Sequence, residues 1–454
     1  NFWEGVMLQG DEMMAVCYNN GYYDNGRAVL PSLHLLNPDI PGVGLMSDMM
    51  SGISYCNQVI LSLGGEEGAD ADIVAPVRAM RAYYTFWMMD LYGDVPILDP
   101  KTMPDDGVPR SPRKDVARWV ESELKAVYPK LTEEVSTDTY GRPTKWMALA
   151  TLAKLYLNWG VYTADDVKDV DNNTPNEKLN DLVAVCDSII KSGKFEVGKG
   201  HRKKFFPNNG VQIKDFIYAI PYDAASLGAS YAGGHHLDRF CIFKKANSTT
   251  PGPWGFAPAK SSAGTWIVTD EATARFNLKG DERNEMILKG PQYALDYANN
   301  YAVTTTPVMY HGKQIDYTPI SSVADADWQN INNLDLGPDN VDANLQKGYR
   351  LAKYVSDPDQ YRLYNRFGSN DIPIYRYADI LLMKAEAILR GATATNGDTP
   401  QSLINQVRDC SGAEHIVLTL HYRICLMSAA VSSSVNHGGE TTSFVSDSSK
   451  TTGD

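Results

Sequence analysis

The segment RAYYTFWMMDLYGDVPIL, residues 81–98, decides the fold of this chain. Its first half carries aromatic and methionine side chains on most of a helical circumference, and a helix of that kind must be buried among other helices. The helix is predicted to end at Tyr92, because Gly93 can adopt the left-handed conformation that closes a helix and Pro96 cannot continue it. The segment therefore predicts a core helix.

A second helix is predicted to open at RSPR, residues 110–113. Ser111 can cap it, and Pro112 suits the first helical position, where a backbone N–H would have no partner within the helix. The residues that follow at helical spacing predict a buried stripe made of Trp119, Leu124 and Val127.

Two later segments also predict helices. GRPTKWMALA, residues 141–150, places small side chains at Ala148, Ala150 and Ala153, which let a neighbouring helix approach closely, as stacked helical hairpins require. IYRYADILLMKAEA, residues 374–387, predicts a helix that starts after Pro373 and ends at Gly391.

Together these segments resemble the SusD/RagB family. Residues 81–96 resemble its R-A-Y-Y-x-F-x-x-x-D-L-Y-G-D-V-P signature, and residues 110–113 its R-x-x segment. Residues 141–150 resemble its G-R-x-T-K helix, and residues 374–387 its R-Y-A-E-V-L-L-x-x-A-E-A helix, in the family's order. Members of this family are outer-membrane lipoproteins of Bacteroidetes that capture nutrients, usually glycans, for a TonB-dependent transporter.

The resemblance implies a mainly α fold, with tetratricopeptide-like helical hairpins and an inserted loop-rich subdomain that contains short strands. We expect helical hairpins at 1–194, the ligand-binding insertion at 195–370, further helices at 371–413 and an aberrant, disordered tail at 414–454. The insertion is rich in Gly, Pro, Asn and Tyr, with strand-like runs at 216–220 and 239–243. Since so long a loop is not structureless inside a compact domain, it should be folded on the helical scaffold.

Composition narrows the class of protein. The 454 residues are 43% hydrophobic and 10% aromatic, which is ordinary for a globular protein. A net charge of −13 argues against nucleic-acid binding, and no apolar run reaches the roughly 18 residues of a membrane span. The six cysteines fall singly, so neither a zinc site nor a disulfide framework is indicated, and Cys17, Cys56 and Cys186 should be buried in helical surroundings.

Both ends depart from the family pattern. The sequence begins at Asn1, without the lipidated cysteine and the preceding helix of family members, so we expect the beginning to be missing or trimmed. After Ala413 the helical periodicity gives way to a tail rich in Ser, Thr and Gly from Ser428 onward, whose composition is typical of a disordered extension.

A shift of reading frame is the sharper explanation of this tail. Suppose that the codons between Leu420 and Gly453 are read in a shifted frame, in which each codon starts at the third base of a codon of the given sequence. The degenerate code then permits TLPDLLDERGREFV, a variable position, and EPWRRNDLIRFGQFKDDWG. These match the family's closing motif without a stop, so we expect the natural protein to continue beyond Asp454. Codons for residues 405–454 that are incompatible with the shifted reading would contradict this.

Aromatic side chains on loops are the candidates for sugar recognition, because the C–H face of a pyranose packs on an aromatic ring while its hydroxyls pair with polar groups. Trp254 and Trp266 are flanked by loop residues, Tyr231 lies in YAGGHH, and the loop of residues 19–25 is one on which family members often place a binding residue. For each aromatic the alternative is packing beneath a loop. The predicted ligand-binding residues are Trp254, Trp266, Tyr231, His236, Tyr22 and Tyr23.

No catalytic or cofactor motif occurs in the sequence, which contains no G-x-S-x-G, H-E-x-x-H, P-loop or dinucleotide fingerprint. The aspartates of residues 325–342 could bind calcium, but their spacing does not match the EF-hand. The prediction is therefore no catalytic residue, no metal and no cofactor.

The resemblance implies a surface-exposed glycan-binding protein without enzymatic activity, lipid-anchored in the outer membrane through an anchor that this chain lacks. It would act as a lid on a SusC-like TonB-dependent transporter and would not bind nucleic acid. Two alternatives stay open. One is a glycoside hydrolase of the same glycans, which needs two carboxylates about 5–10 Å apart across a cleft. The other is a helical-repeat protein that binds peptides.

Overall fold

The computed structural model describes residues 7–18, 21–22, 32, 45–66, 71–100, 107–171, 174–228, 234, 266–320, 336–337, 341–355, 357, 360, 363–364 and 367–417. The strand predicted at 239–243 and the part of the predicted tail beyond residue 417 lie outside these residues.

Helices include far more of the described residues than strands do, which confirms the predicted mainly α fold. Each long helix packs against the next, and α6 returns to pack on α4 and α5. The long helices are α1 (Leu45–Ser62), α2 (Ala71–Tyr92), α3 (Arg113–Val127), α4 (Lys145–Leu157), α5 (Leu179–Lys191), α6 (Tyr377–Leu389) and α7 (Pro400–Ser411). Single-turn helices occur at Trp159–Thr163, Ala224–Leu227, Asp270–Ala274 and Asp342–Leu345.

Helix α2 is the predicted core helix. Phe86, Met88 and Met89 are buried completely or nearly so, and Trp87 is 8% exposed. Tyr83 meets Tyr375 edge to face, with ring centroids 6.3 Å apart. The helix ends at Tyr92 as predicted: Gly93 has φ 74°, and its N–H donates to the Met89 carbonyl at 2.8 Å. The opening segment therefore lies at the centre of the helical body.

The start of α3 differs from the prediction. Pro112 precedes the first helical residue, Arg113, and Ser111 does not cap the helix. The backbone N–H of Ser111 instead donates to the Val95 carbonyl at 3.0 Å, and the Asp94 carboxylate accepts from the Arg113 N–H at 2.8 Å. The capping group is therefore the Asp94 carboxylate, which lies just beyond the end of α2, because the loop before α3 folds back onto that segment. The predicted stripe is buried at two positions, Leu124 and Val127, and half-buried at the third, Trp119.

Helix α4 matches its prediction and α6 begins later than predicted. The Thr144 hydroxyl accepts from the Met147 N–H at 3.4 Å, and Ala148, Ala150 and Ala153 are fully buried. Before α6, residues Ile372–Arg376 form a strand, so this helix starts at Tyr377 and not directly after Pro373. Backbone pairing with residues 216–220 holds those residues extended before the helix opens.

The described strands pair two by two, each pair antiparallel, and the strand predicted at 216–220 is confirmed. The pairs are β1 (Met13–Ala15) with β5 (Trp266–Val268), β2 (Cys17–Tyr18) with β3 (Gly21–Tyr22), β4 (Phe216–Ile220) with β14 (Ile372–Arg376), β6 (Ile287–Leu288) with β13 (Arg350–Leu351), β7 (Gly290–Pro291) with β12 (Asp316–Tyr317), β8 (Tyr293–Asp296) with β9 (Ala302–Pro307), and β10 (Met309–Tyr310) with β11 (Lys313–Gln314). Strand β1, assigned by sequence to the helical part, thus pairs with the loop-rich part.

Buried cations hold the irregular backbone of the loop-rich part. Arg350 is completely buried and donates from its guanidinium to the carbonyls of Gly348, at 2.7 Å, and Leu345, at 3.3 Å. Lys204 donates to the Val197 carbonyl at 2.6 Å and pairs with Asp215 at 2.8 Å. Carbonyl groups that no strand partner satisfies must find another donor when they are buried, and these cations supply it.

The predicted burial of three cysteines is confirmed. Cys17, Cys56 and Cys186 are all buried free thiols, although Cys17 lies on strand β2 and not in helical surroundings. Burial raises the pKa of the Cys56 thiol to about 11, so it stays protonated at neutral pH.

Candidate functional site

The outer side of α1 forms a shallow, open depression, which we call the α1 shelf. It follows one side of the helix for three turns, whereas Ile53, Cys56, Asn57 and Ile60 occupy the opposite, buried side. The residues of the shelf are Met46, Ser47, Met50, Ser51, Ser54, Tyr55 and Gln58.

Close packing of α1 on α2 fixes which side of α1 faces outward. A Cβ atom placed on Gly52 would lie 3.0 Å from the Tyr84 ring, so glycine permits the two helices to approach. The side-chain amide of Asn57 donates to the Leu98 carbonyl at 3.2 Å and accepts from the Arg81 guanidinium at 3.1 Å. These contacts prevent rotation of α1 and so hold Tyr55 on the outer side.

An ion-pair network behind the shelf joins α2 to α3. The buried Arg81 guanidinium lies 2.8 Å from the Glu123 carboxylate and 2.6 Å from that of Glu66, and Arg78 lies 2.6 Å from Glu123. Burial of the Glu123 carboxyl group opposes its ionisation, but the two arginines outweigh that effect and lower its pKa. The network gives the shelf a rigid support, because each charge in it has a hydrogen-bonding partner.

Chemically, the α1 shelf offers an aromatic face beside small polar groups. Tyr55 is 68% exposed, which leaves its ring available for stacking. Ser51, Ser54 and Gln58 supply hydroxyl and amide groups that both donate and accept hydrogen bonds. The lining residues carry no charge, and the exposed carboxylate of Asp48 lies in the first turn of the same helix. The arrangement suits an uncharged, hydroxyl-rich ring.

Two family models match separate parts of the sequence. The model described as the SusD family matches residues 225–423, and a SusD-like model described as "Starch-binding associating with outer membrane" matches residues 52–157. The chain belongs to the SusD family. The second match begins inside α1 and covers the core helix of the opening segment, and neither description is that of an enzyme.

Solved structures of SusD-like proteins share the fold. A SusD superfamily protein from Parabacteroides distasonis is 18% identical, with a TM-score of 0.67 over 95% of this chain and 80% of the other. Surface glycan-binding protein A from Bacteroides thetaiotaomicron, solved in complex with laminarihexaose, is 19% identical, with a TM-score of 0.66 over 94% and 81%. A laminarin-binding SusD-like protein is 17% identical, with a TM-score of 0.64 over 96% and 84%. No curated protein matches the sequence significantly.

The predicted ligand-binding residues of this SusD-family chain fall mainly outside the described residues. Trp254, Tyr231, His236 and Tyr23 all lie there, and for Tyr22 the strand is described but the side chain is not. The described residues therefore bring no two of these candidates together, and their role in binding stays a prediction.

Trp266 is the predicted ligand-binding residue whose side chain the structure describes. It lies on β5 and is 4% exposed, packed in a cluster that includes Leu8, Phe205 and Tyr354. The ring presents no open face in this structure, which favours the packing alternative for this residue.

Tyr55 was missed by sequence reasoning, although the sequence carries a signal for it. Ile53 and Ile60 are seven residues apart and mark the buried side of α1, so Tyr55 falls out of phase with that side. Ser47, Ser51 and Ser54 repeat at helical spacing beside it. An aromatic residue among serines on the polar side of an amphipathic helix is the pattern to look for.

The described residues contain no group of three or more histidine, cysteine or acidic side chains that could hold a metal ion. Asp342, from the aspartate series considered for calcium, lies 3.1 Å from Nδ1 of His311; the other aspartates of that series lie outside the described residues. No helix in the described part of the chain combines the length and the apolar character needed to cross a membrane.

Proposed function

We propose that this SusD-family protein binds glycans at the cell surface, without catalysing a reaction, and passes them to a SusC-like TonB-dependent transporter. The observation that carries the proposal is the exposed ring of Tyr55 on an uncharged, hydroxyl-lined shelf. The starch-binding description of the model that matches residues 52–157 supports it, since that match includes Tyr55 and Gln58. The two relatives named for laminarihexaose and laminarin bind the same class of ligand.

The shape of the α1 shelf favours binding over hydrolysis. Hydrolysis of a glycosidic bond requires two carboxyl groups on opposite sides of the bond, about 5–10 Å apart. The lining residues of the shelf carry no carboxyl group, and a shallow surface does not exclude water as a catalytic cleft does. The shelf suits a ligand that is held and then released.

Affinity on so open a surface must come from several weak contacts. One stacked ring contributes on the order of 1–3 kcal/mol in comparable aromatic hot spots. We expect the remaining contacts to come from the loop residues predicted from the sequence, which are Tyr22, Tyr23, Trp254, Tyr231 and His236. Ligand sites commonly lie on loops that a rigid scaffold positions.

The location and the protein partner are part of the same proposal. The description of outer-membrane association for residues 52–157 supports a place on the outer membrane. We expect a lipid anchor to hold the protein there. A protein that captures glycans there serves uptake only if it delivers them to a transporter. We expect the natural protein to co-purify with a TonB-dependent transporter, and recovery of the natural protein free in the cytoplasm would contradict this.

Calorimetric titration tests the glycan site. Wild-type protein, Tyr55→Ala and the control Tyr293→Ala, which removes an exposed tyrosine of β8, are titrated with laminarihexaose and with maltohexaose. Tyr55→Ala should weaken binding by about 1–3 kcal/mol, while Tyr293→Ala leaves it unchanged. Equal affinity of all three proteins for the bound glycan would remove the α1 shelf from the site. Release of reducing sugar from that glycan would favour a glycoside hydrolase.

A further inference from the structure

Asp48 is the one charged residue of α1, and it borders the α1 shelf. The helix carries no lysine, arginine or glutamate, and Asp48 lies in its first turn with an exposed side chain. Ser47 precedes it directly, and Ser51 lies beside it, because residues three apart on a helix have Cβ atoms about 5–6 Å apart. Both serines line the shelf. A ligand on the N-terminal half of the shelf therefore lies next to a carboxylate.

The length of the shelf suits an oligosaccharide that lies along the helix. Asp48 and Tyr55 share one outward stripe, because seven residues make almost two full turns, and the helical rise places them about 10 Å apart along the axis. By the same rise the shelf extends over about 18 Å from Met46 to Gln58. Its volume of about 640 Å³ is ordinary for a ligand site. Several consecutive sugar units are needed to cover it.

No cation of the described residues pairs with Asp48. Neither an ion pair nor a hydrogen bond joins its carboxylate to another described residue. Its charge acts on Tyr92 instead: burial raises the pKa of the Tyr92 hydroxyl, a hydrogen bond with the Met46 backbone lowers it, and Asp48 raises it again. The buried arginines behind the shelf are occupied by ion pairs with glutamates. The negative charge beside the shelf is therefore open to a ligand.

We propose that Asp48 makes the α1 shelf selective for neutral oligosaccharides, and that its carboxylate accepts hydrogen bonds from a sugar unit two helical turns before the ring stacked on Tyr55. This inference rests on the proposed binding of glycans at the shelf. Both oxygens of an ionised carboxylate accept hydrogen bonds, so the group suits the neighbouring hydroxyls of a sugar. A glycan with carboxylate or sulfate groups would bring like charges against Asp48, and α1 offers no lysine or arginine to pair with them.

Calorimetric titration with neutral and acidic oligosaccharides of equal length tests the selectivity. The probes are laminarihexaose, maltohexaose and hexagalacturonate at low ionic strength. The wild-type protein should bind one of the neutral hexaoses about tenfold or more tightly than hexagalacturonate, since several like charges are then kept from the shelf. Asp48→Asn should lower this ratio about threefold, as expected when one like charge about 6 Å away in water is removed. Sodium chloride at about 1 M should also lower the wild-type ratio, because it screens charges beyond about 3 Å.

Asp115→Asn is the matched control. It also removes an exposed aspartate from the first turn of a helix, in this case α3, and it changes the net charge equally. Its ratio should equal that of the wild type. An aspartate in a first turn also stabilises its helix through the helix dipole, and melting curves measure that contribution in both variants. A lower melting temperature of Asp48→Asn with an unchanged ratio would make Asp48 a helix stabiliser only and would overturn the proposal.

The hydrogen-bonding role of Asp48 has its own variant. Asp48→Ala should weaken binding of the neutral hexaose about tenfold, as for loss of a hydrogen bond to a charged group, whereas Asp115→Ala should not. Affinity of the wild type should rise from the disaccharide to the tetrasaccharide and then level off as the shelf is filled. Equal binding of the hexaose by wild type and Asp48→Ala would contradict this role.

Failure of the glycan site and failure of the selectivity give different results. Tyr55→Ala reports on the neutral hexaose alone, and affinity that does not depend on Tyr55 would refute the shelf as the glycan site and this inference with it. Binding that depends on Tyr55, with the same ratio in wild type and Asp48→Asn, would overturn the selectivity alone. Equal affinity of the wild type for the neutral and acidic hexamers would do the same.

Discussion

The helical body and the loop-rich part are stabilised in different ways. One continuous apolar cluster runs through α2 to α6, and it includes Trp87, Trp146 and Tyr375. The loop-rich part instead has several smaller clusters, two-stranded pairs and buried cations that donate to backbone carbonyls. Periodic apolar burial therefore specifies the body, whereas polar contacts between distant side chains and backbone specify the loop-rich part. Substitutions that remove one kind of contact at a time can test this difference.

The largest expected effect comes from the core helix. Trp87→Ala should lower the free energy of unfolding by about 3–5 kcal/mol, as do large aromatic truncations in packed interiors. Chemical denaturation measures this change in the free energy of unfolding, and an unchanged midpoint would show that the Trp87 ring does not support the core.

Trp266→Ala is the contrasting variant in the loop-rich part. Hydrogen exchange should show that protection of backbone amides is lost first around β1 and β5, while the helical body stays protected.

Removal of a buried cation should damage the loop-rich part. Arg350→Met leaves the carbonyls of Leu345 and Gly348 without their donor, at a cost of about 1.5–3 kcal/mol. Arg118→Met, which removes an exposed cation of α3, should change stability by less than about 1 kcal/mol. Equal losses of stability in Arg350→Met and Arg118→Met would contradict the difference between the helical body and the loop-rich part.

A substitution at Trp254 tests whether this residue belongs to the glycan site. Trp254→Ala should weaken glycan binding by about 1–3 kcal/mol and leave folding nearly unchanged, because a tryptophan between Pro253 and Gly255 suits an exposed loop. Calorimetry beside a melting curve separates binding from packing. A lower melting temperature with intact affinity would make Trp254 a structural residue.

The smallest expected effect concerns helix caps. Thr144→Ala removes the hydroxyl that accepts from the Met147 N–H and should cost about 1 kcal/mol. Ser111→Ala should have almost no effect, because the contact of Ser111 with Val95 is made by its backbone. Urea denaturation of the two variants decides between the observed cap and the one predicted from sequence.

The helical body could be predicted because its signals are local. The end of α2 at Tyr92 and the buried alanines of α4 follow from spacing within one helix. The two errors at helix starts have one cause, which is that a distant partner overrode the local pattern. Val95 pairs with Ser111 across the loop, and Phe216–Ile220 pairs with the residues before Tyr377.

The candidate site was less predictable. Nothing near Trp266 in sequence shows that β1 will cover it, so a loop aromatic and a buried one look alike. Tyr55 follows from the phase of α1, but that phase identifies an outward side chain and not a ligand. Contacts of distant residues are harder still: His201, Lys353 and Arg376 are far apart in sequence, and only the folded chain brings them near the Phe205 ring.

The pairing of β1 with β5 also sets an order of events during folding. The neighbouring hydrogen bond from the Thr269 hydroxyl to the Asp11 carbonyl joins residues 258 apart in sequence. Closing so long a loop costs more entropy than closing a helical hairpin, and contacts of that kind form slowly. Strand β1 must therefore wait, unpaired, until β5 has been synthesised, while α1 to α5 can already dock on one another. Of the described strands, β1 thus waits through the longest stretch of synthesis for its partner.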